Sequence, residues 1–500
     1  MIAPSSTNWP VLSALLEGVV TVPPGFDRPV TGLALDSRRL RHGEVFLACA
    51  GSRDHGLCYL RQARSAGAAA ILWEPPAPPQ VELGGADLLP VPELGQQVGL
   101  IAARFHDLPA SALTVIGVTG TDGKTSCSHF LAQCLSEVDR PCGLIGTLGL
   151  GPFGSLQPNP HTTPDPLTLQ QVLAQFRDQG LSHVAMEASS HALAQGRARG
   201  IGFRVAVLTN LTRDHLDYHG DLEAYRAAKS RLFTDADLGA AVLNADDTLG
   251  RELLLGLGCR RIGYALEDRV VARAGDAHVL GGELTLDSAG ISFDVQSSWG
   301  SGRVRSGLLG HFNAANLLAV LATLLELGRP FDIALQRMGA LRTAPGRMER
   351  FGGGSQPLVV VDYAHTPHAL EQVLRALRGH LVGALTCVFG CGGDRDRGKR
   401  PEMAAAAERW SDRIVITDDN PRTEDPDRIV ADIRAGLRDS RRVTVERDRG
   451  AAIRLAMTAA RAGDVVLIAG KGHEDYQIVG DRRLSFSDRA VVSCLLEQSS

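Results

Sequence analysis

Leu113-Thr-Val-Ile-Gly117-Val-Thr-Gly120-Thr121-Asp122-Gly123-Lys124-Thr125-Ser126 is the stretch on which the reading of the chain turns. Apolar Leu113–Val118 reads as a buried strand, the glycines as a tight turn, and Ser126–Leu135 as a helix. Glycines let backbone N–H groups point inward and surround phosphate oxygens. The helix that follows adds the positive end of its dipole. From this spacing Lys124 reaches the β- and γ-phosphates and the Thr125 hydroxyl binds Mg²⁺. The loop therefore specifies a nucleoside triphosphate, without distinguishing a hydrolase, a kinase or a ligase.

Outward from the loop, His183–Met186, Val205–Leu208 and Ala240–Leu243 are further strand candidates separated by helical stretches, the order of a doubly wound α/β sheet. Ala-Pro-Gly within Thr343–Arg347 breaks a helical run, and alternation then resumes. Leu358–Val361, Leu385–Phe389, Ile414–Thr417 and Val465–Ala469 are strand-like; His368–Leu377, Glu402–Arg409 and Arg428–Leu437 are helix-like. No Gly-x-Gly-x-x-Gly follows the first of these strands, so this Rossmann-like unit is a poor fit to NAD. Upstream, Glu-Pro-Pro-Ala-Pro-Pro at Glu74–Pro79 is a stiff connector or loop. The expected fold is α/β in three domains, residues 1–93, 94–343 and 344–500, with a P-loop-type doubly wound sheet at the centre.

Five hundred residues exceed one ordinary core, and a net charge of −4 provides no global field for nucleic acid. No apolar run approaches the roughly 20 residues that span a bilayer, and Met1–Val20 lacks the pattern of a signal peptide. Nine scattered cysteines, with Cys387 and Cys391 isolated from other metal-ligand pairs, fit reduced thiols in a cytoplasmic protein. We expect a monomer acting on small molecules, with no nucleic-acid partner and no membrane insertion.

Glu187 and His215 each stand just beyond a predicted strand, in Met186-Glu-Ala-Ser-Ser-His191 and Asn210-Leu-Thr-Arg-Asp-His215. Strand carboxyl ends open onto the ligand crevice of such a sheet, and a carboxylate and an imidazole beside a phosphate loop suit Mg²⁺. Alone, Glu187 reads sooner as an ion-paired carboxylate and His215 as a turn cap; beside this loop the metal reading prevails. Lys229 lies in a predicted helix, Leu222–Phe233, at helical spacing from Tyr225, Leu232 and Phe233, which puts it on the apolar stripe. Desolvation there lowers an amine's pKa, so it could be neutral and take up CO₂ as a carbamate. On the helix pattern alone, a lysine snorkelling to water is the commoner outcome.

Taken together, Gly120–Ser126, Met186–His191, Asn210–His215, the lysine-bearing helix, Gly310-His-Phe-Asn-Ala-Ala-Asn316 and Asp362-Tyr-Ala-His365 resemble the Mur ligase family, in order and over essentially the whole chain. Leu35-Asp-Ser37-Arg, His161-Thr-Thr-Pro-Asp165 and Asp419-Asn-Pro-Arg422 resemble the branch that adds meso-2,6-diaminopimelate to UDP-N-acetylmuramoyl-L-alanyl-D-glutamate. The resemblance implies an ATP- and Mg²⁺-dependent amide ligase of peptidoglycan precursor synthesis working through an acyl phosphate, with the third domain closing before chemistry. It makes the first domain the UDP-binding one, through Leu35, Ser37 and the loop Ser52, Arg53 and Asp54. His161, Thr162, Thr163, Ser189, Gln195 and Arg197 would meet the muramoyl dipeptide. ATP would lie on Gly120, Thr121, Asp122, Gly123, Lys124, Thr125 and Ser126, with Asn316 near the adenine, Arg347 near the phosphates and Asp362 near the ribose. Lys229 would be the carbamylated lysine, and Thr125, Glu187, His215 and Lys229 the metal ligands, with Lys124 beside them in catalysis. Arg395, Asp419, Asn420, Pro421, Arg422, Gly470 and Glu474 would hold the incoming amino acid.

A guanidinium suits the second carboxylate of diaminopimelate and Glu474 its far ammonium, whereas lysine would bring a cation toward Arg422. Asp122 departs from the family's usual Asn and His161 from a frequent Asn. The competing readings are a sibling ligase for lysine, ornithine or folate, and a P-loop NTPase switch. The Lys229 helix and the Arg422 motif serve no purpose in a switch, and the long first domain does not suit a folate enzyme.

Overall fold

The computed structural model describes residues 9–51, 54–235, 237–381 and 383–498. Ser52 and Arg53 of the expected uridine loop lie outside them. The chain divides into two compact units, one running to Tyr264 and including Asp268–His278, the other comprising Ala265–Glu267 and the chain from Val279 onward.

The first unit opens with a four-stranded parallel sheet, β1 (Leu33–Ala34), β2 (Val45–Ala48), β3 (Ala70–Trp73) and β4 (Leu88–Pro90), in that order. Side chains alternate across it as strand geometry requires: Val45 and Leu47 enter one apolar cluster, Phe46 and Ala48 the other. Both faces are therefore buried, as in other parallel sheets. Helix Leu94–Phe105 covers one face with Leu94, Val98, Ile101 and Phe105, spaced at helical intervals.

Seven strands follow in this unit: β5 (Thr114–Thr119), β6 (Gly143–Gly146), β7 (Gly149–Pro152), β8 (His183–Glu187), β9 (Gly202–Leu208), β10 (Asp237–Asn244) and β11 (Arg260–Ala265). Their spatial order is β11-β10-β9-β5-β8-β6-β7, parallel except for β7. β5 is central, with β8 on one side and β9 on the other. Register sets Val118 opposite Glu187 and Thr119 opposite Leu208, so three strand ends come level there. That is the crevice where doubly wound sheets bind ligands. The helix after the loop begins at Lys124, two residues before the sequence expectation, because Gly123 caps it with a left-handed φ of 82°.

The second unit contains an antiparallel meander, β12 (Ala277–Asp287), β13 (Gly290–Ser297) and β14 (Gly300–Ser306), and helix His311–Glu326. Its second sheet comprises β15 (Glu349–Gly352), β16 (Leu358–Asp362), β17 (Leu385–Phe389), β18 (Arg413–Ile416), β19 (Val443–Val445) and β20 (Val465–Ala469), in the order β15-β16-β20-β17-β18-β19. β15 is antiparallel and the rest are parallel. Leu358 and Val360 face one core cluster, Val359 and Val361 the other. A hairpin, β21 (Tyr476–Val479) and β22 (Arg482–Ser485), follows. The helix expected at Arg428–Leu437 occupies Pro426–Arg434, with Asp425 accepting at its start and Pro426 in its first turn. Among the described residues no helix is long and apolar enough to cross a membrane.

Arg449 and Asp488 form a fully buried bidentate pair at 2.7 and 2.8 Å, and Arg449 also donates to the Ala469 carbonyl at the end of β20. Removing one partner strands a buried charge. Asp488→Ala should cost about 3–5 kcal/mol in urea unfolding; a change below about 1 kcal/mol would show that the pair holds nothing in place.

Candidate active site

The phosphate loop is held from beneath. Gly120 has φ 147°, and a Cβ there would stand 1.8 Å from Thr209 Oγ1, so the site accepts only glycine. Thr209 Oγ1 donates to the Asp122 carbonyl at 2.6 Å, and the Asp122 N–H donates to Asn210 Oδ1 at 2.9 Å. These bonds fix the backbone of Asp122 and leave its side chain exposed. Thr121 Oγ1 lies 3.1 Å from Tyr225 Oη, and Thr212 N–H donates to it at 2.9 Å. Lys124 Nζ folds back onto the Gly120 and Thr121 carbonyls, both at 2.8 Å. Ser126 is in the first turn of the loop helix.

Glu187, at the end of β8, is 1% exposed. Thr125 Oγ1 donates to its Oε2 at 2.9 Å, Thr147 N–H to its Oε1 at 2.8 Å, and Thr147 Oγ1 to Oε2 at 3.2 Å. Burial raises its pKa, opposed by the nearby Lys124 charge and by these hydrogen bonds. Gly146 admits this carboxylate, since a Cβ there would meet Glu187 Oε1 at 2.3 Å.

Lys229, 1% exposed, donates to the Gly120 carbonyl at 2.6 Å, with its Nζ 4.5 Å from the Tyr225 ring centroid. It does not snorkel to water. Burial first, and the Lys124 charge second, lower its pKa from 10.5 to about 6, so the amine is neutral at pH 7.

His215 stands at the exposed start of a short helix with φ 52°, against Asp214 at 3.4 Å and 5.0 Å from the His191 ring. Buried Glu187 and exposed His215 thus occupy different surroundings. Among the described residues no three His, Cys, Asp or Glu side chains are arranged to hold a metal. The donors that do meet, the Thr125 hydroxyl and the Glu187 carboxylate, are hard oxygens of the kind Mg²⁺ takes.

Next to Glu187, Thr163 Oγ1 donates to the Glu187 carbonyl at 2.8 Å and accepts from Ser189 N–H at 3.1 Å. Arg197 donates to the Thr163 carbonyl at 2.8 Å and, through two nitrogens, to Gln195 Oε1 at 2.8 and 2.6 Å. Thr162 Oγ1 sits 3.0 Å from Thr147 Oγ1. Thr162, Thr163, Ser189, Gln195 and Arg197 therefore form one polar surface running to the loop carboxylate, while His161 is exposed at its edge. On the first sheet, Ser37 donates to Gln62 Oε1 at 2.9 Å, Leu35 packs at the margin of a core cluster, and Asp54 is exposed near Tyr59.

In the second unit Asn316 is buried and donates to Asn313 Oδ1 at 2.9 Å. Asp362 ends β16, accepting from Met348 N–H and Ala364 N–H, both at 2.7 Å; burial raises its pKa. Arg347 lies 5.0 Å from the Tyr363 ring centroid, and its buried Nε has no hydrogen-bond partner, an orphaned donor that suits an anion. The Gly470 N–H, just past β20, donates to the Asp362 carbonyl at 3.1 Å. A Cβ on Gly470 would sit 3.2 Å from Asp419 Oδ2. Asn420 Nδ2 donates to Glu474 Oε2 at 3.1 Å, and Pro421 is buried. Arg422, at φ 52°, donates to the Gly393 carbonyl at 2.9 Å. A Cβ on Gly392 would lie 2.9 Å from Arg422 Nη1 and 3.6 Å from Arg395 Cγ, so both arginines border that glycine. Arg395, Asp419, Asn420, Pro421, Arg422, Gly470 and Glu474 thus gather at the carboxyl ends of β17, β18 and β20.

Sequence reasoning missed Thr147, Thr209 and Lys471. Lys471 is fully buried among Asp419, Asn420 and Glu474. Its signal was legible: Gly470-Lys-Gly-His-Glu474 directly follows an apolar strand. Thr147 and Thr209 carry no such signal, because their role depends on strand register.

The Lys229 amine has a stability consequence. Its folded pKa lies below its unfolded value, so between about pH 6 and 10.5 the unfolded chain binds the extra proton. Stability therefore rises with pH across that window, and the lysine costs most below it. In CO₂-free buffer at pH 7, Lys229→Met should raise unfolding free energy by on the order of a few kcal/mol. The gain should shrink toward pH 10. A destabilised variant at pH 7 would mean the amine is not desolvated.

The chain matches the Mur ligase middle domain over residues 118–324 and the Mur ligase glutamate ligase domain over residues 346–472. It is 52% identical to the UDP-N-acetylmuramoyl-L-alanyl-D-glutamate–2,6-diaminopimelate ligase of Alkalilimnicola ehrlichii over 498 residues, 97% of this chain and 99% of that relative. The ligase of the same name from Pseudomonas aeruginosa is 48% identical, over 92% and 94% of the two chains. A solved structure of a ligase of that name, 37% identical, superposes with a TM-score of 0.75 over 98% of this chain and 99% of the other. Folylpolyglutamate synthase of Mycobacterium tuberculosis, 19% identical with a TM-score of 0.59 over 75% of this chain and 92% of its own, shares the fold. The phosphate loop, the buried carboxylate behind it and the Rossmann-like second sheet are those of a Mur ligase, and the chain belongs to the Mur ligase family.

Proposed function

We propose that this protein is an ATP-dependent ligase that adds meso-2,6-diaminopimelate to UDP-N-acetylmuramoyl-L-alanyl-D-glutamate in peptidoglycan precursor synthesis. The observation that carries the reading is the pairing of two built sites with different chemistry. One is a phosphate loop against a buried carboxylate and a neutral lysine; the other is a pocket combining two arginines with two carboxylates. A switch needs the phosphate loop and has no use for the neutral lysine or for the second pocket. The high identity to ligases of this name over nearly the whole chain supports the substrate.

Phosphorylation is needed because a free carboxylate is a poor acyl donor, its leaving group being oxide. A γ-carboxylate oxygen of the D-glutamyl residue attacks the γ-phosphorus of ATP, the bond to the bridging oxygen breaks and ADP leaves. The amine of diaminopimelate then adds to the acyl carbon of the resulting acyl phosphate. The tetrahedral intermediate collapses with loss of phosphate and a proton. The chain contributes position and charge. The loop N–H groups from Gly120 to Ser126 hold the phosphates. Lys124 exchanges its contacts with the Gly120 and Thr121 carbonyls for phosphate oxygens, and the Thr163–Arg197 surface holds the acceptor peptide beside Glu187. Asn316, Arg347 and Asp362 serve the nucleotide, and Leu35, Ser37 and the loop at Asp54 the uridine end.

Thr125 and Glu187 fit Mg²⁺, with His215 and a carbamate on Lys229 as further ligands; the metal supplies neutralisation of the transferring phosphoryl group. The neutral Lys229 amine is competent to add CO₂ and lose a proton, giving that carbamate. We assign the division 1–93, 94–343 and 344–500 to uridine-end binding, ATP binding and amino-acid binding, and take the enzyme to act as a cytoplasmic monomer.

The test is product mass with ATP, Mg²⁺ and the UDP-linked dipeptide, offering meso-diaminopimelate, L-lysine or L-ornithine separately. The tripeptide should form with diaminopimelate, with lysine and ornithine poorer by at least about 100-fold in kcat/KM, as unpaired buried polar groups reject the wrong ligand. Product with lysine alone would overturn the assigned substrate. ATP hydrolysis without product would overturn the ligase.

A further inference from the structure

Lys471 is a lysine with no route to water. It is 0% exposed, and its three N–H donors meet Glu474 Oε2 at 2.9 Å, Asn420 Oδ1 at 3.1 Å and Asp419 Oδ1 at 3.4 Å. Those acceptors are three of the groups assigned to the incoming amino acid. Asn420 Nδ2 also donates to Glu474 Oε2, so that oxygen carries two bonds, leaving Oε1 with the Tyr476 hydroxyl at 3.4 Å. Glu474 is thereby held in one orientation with one oxygen left to receive a ligand ammonium.

Several charges around these groups are paired with one another. Arg449 is bound to Asp488, Arg447 to Asp418, Arg400 to Glu424 and Asp432, and Arg483 lies 3.6 Å from Asp475. The residues assigned to the incoming amino acid, taken with Lys471, carry five charges: cations on Arg395, Arg422 and Lys471, anions on Asp419 and Glu474. Their net charge is +1. An amino acid that attacks through a neutral amine and carries two carboxylates and a distal ammonium has net charge −1. L-Lysine in its reacting form has net charge zero. Without Lys471 these groups sum to zero, and Asp419 and Glu474 lose the cation that contacts them both.

We infer that Lys471 is a specificity-determining positioning residue: its buried ammonium orients Glu474 and sets the pocket charge that favours an amino acid with a second carboxylate. The inference rests on the ligase reading above. As a positioning residue it acts through Glu474, Asn420 and Asp419. Buried cations that neutralise neighbouring carboxylates favour one ligand charge state over another at the cost of their own desolvation.

The experiment is steady-state kinetics of Lys471→Met in the full-length enzyme with saturating ATP and UDP-linked dipeptide, varying meso-diaminopimelate or L-lysine. The expected result is a loss of about 100-fold in kcat/KM for diaminopimelate, mainly in KM, from truncating one member of a buried charge cluster. KM for ATP and for the dipeptide should stay within about threefold, and the preference for diaminopimelate over L-lysine should collapse. A second variant, Lys471→Met with Asp419→Asn, removes one anion with the cation and restores net +1. It should recover about tenfold of the preference relative to Lys471→Met, and it supplies the comparison with wild type if the single variant does not fold. A preference in Lys471→Met within about threefold of wild type would overturn the inference. So would a double variant as unselective as the single one, or, if the single does not fold, as unselective with respect to wild type. Failure of the ligase reading itself is distinguishable, because wild-type enzyme would then make no product with diaminopimelate.

Discussion

The hydrogen bond from the Lys229 amine to the Gly120 carbonyl is the interaction around which the catalytic end of the first unit is arranged. A lysine buried at that point must be neutral or lose far more in desolvation than one hydrogen bond returns. A neutral amine can donate to the loop, lie over Tyr225, and remain reactive. Tyr225 in turn meets Thr121, Thr121 accepts from Thr212, and Thr209 and Asn210 hold the backbone of Asp122. The loop is therefore shaped by the strand ends and the Lys229 helix before any phosphate arrives, which is the preorganisation that charge-stabilising catalysis requires.

The second unit meets a different constraint. On the proposed function its pocket holds several ionic groups of a small amino acid, so its own charges have to be fixed. Arg400 bridges Glu424 and Asp432, Arg447 reaches Asp418, and Arg449 locks Asp488 while donating to the last carbonyl of β20. Each pair immobilises a strand end or the loop beside it. At the ends of β17, β18 and β20, Asp419 and Glu474 are paired with Lys471 instead. Such pairs, buried or half-buried, contribute little net stability; what they supply here is orientation.

The sequence was most legible where local chemistry and periodicity agreed. The phosphate loop, its strand and its helix were readable because glycine conformation, apolar run and Gly-Lys-Thr all point one way, and Leu385–Phe389 and Val465–Ala469 were found to the residue. The Lys229 helix was found, but the pattern alone favoured a lysine reaching water, because periodicity gives the face of a helix and not its depth. Glu187 was placed at a strand end, yet its partner Thr147 was invisible, since only the pairing of β6 with β8 brings the two together. Lys471 follows a strand, but a lysine in a glycine-rich segment reads as surface until three acceptors are seen around it. His215 and Asp122 were legible as positions and not as orientations, which depend on a left-handed turn in one case and on Thr209 and Asn210 in the other.

The central claim is that the first unit activates a carboxylate by phosphoryl transfer, and the fate of the carboxylate oxygen tests it most directly. The UDP-linked dipeptide would be prepared with ¹⁸O in the D-glutamyl γ-carboxylate and turned over with ATP and meso-diaminopimelate, and the released phosphate analysed by mass spectrometry. The account predicts one ¹⁸O atom in each phosphate, because the bond that breaks in amide formation is the acyl carbon–oxygen bond of an acyl phosphate. Phosphate free of ¹⁸O, with the label retained in the product or lost to water, would contradict it.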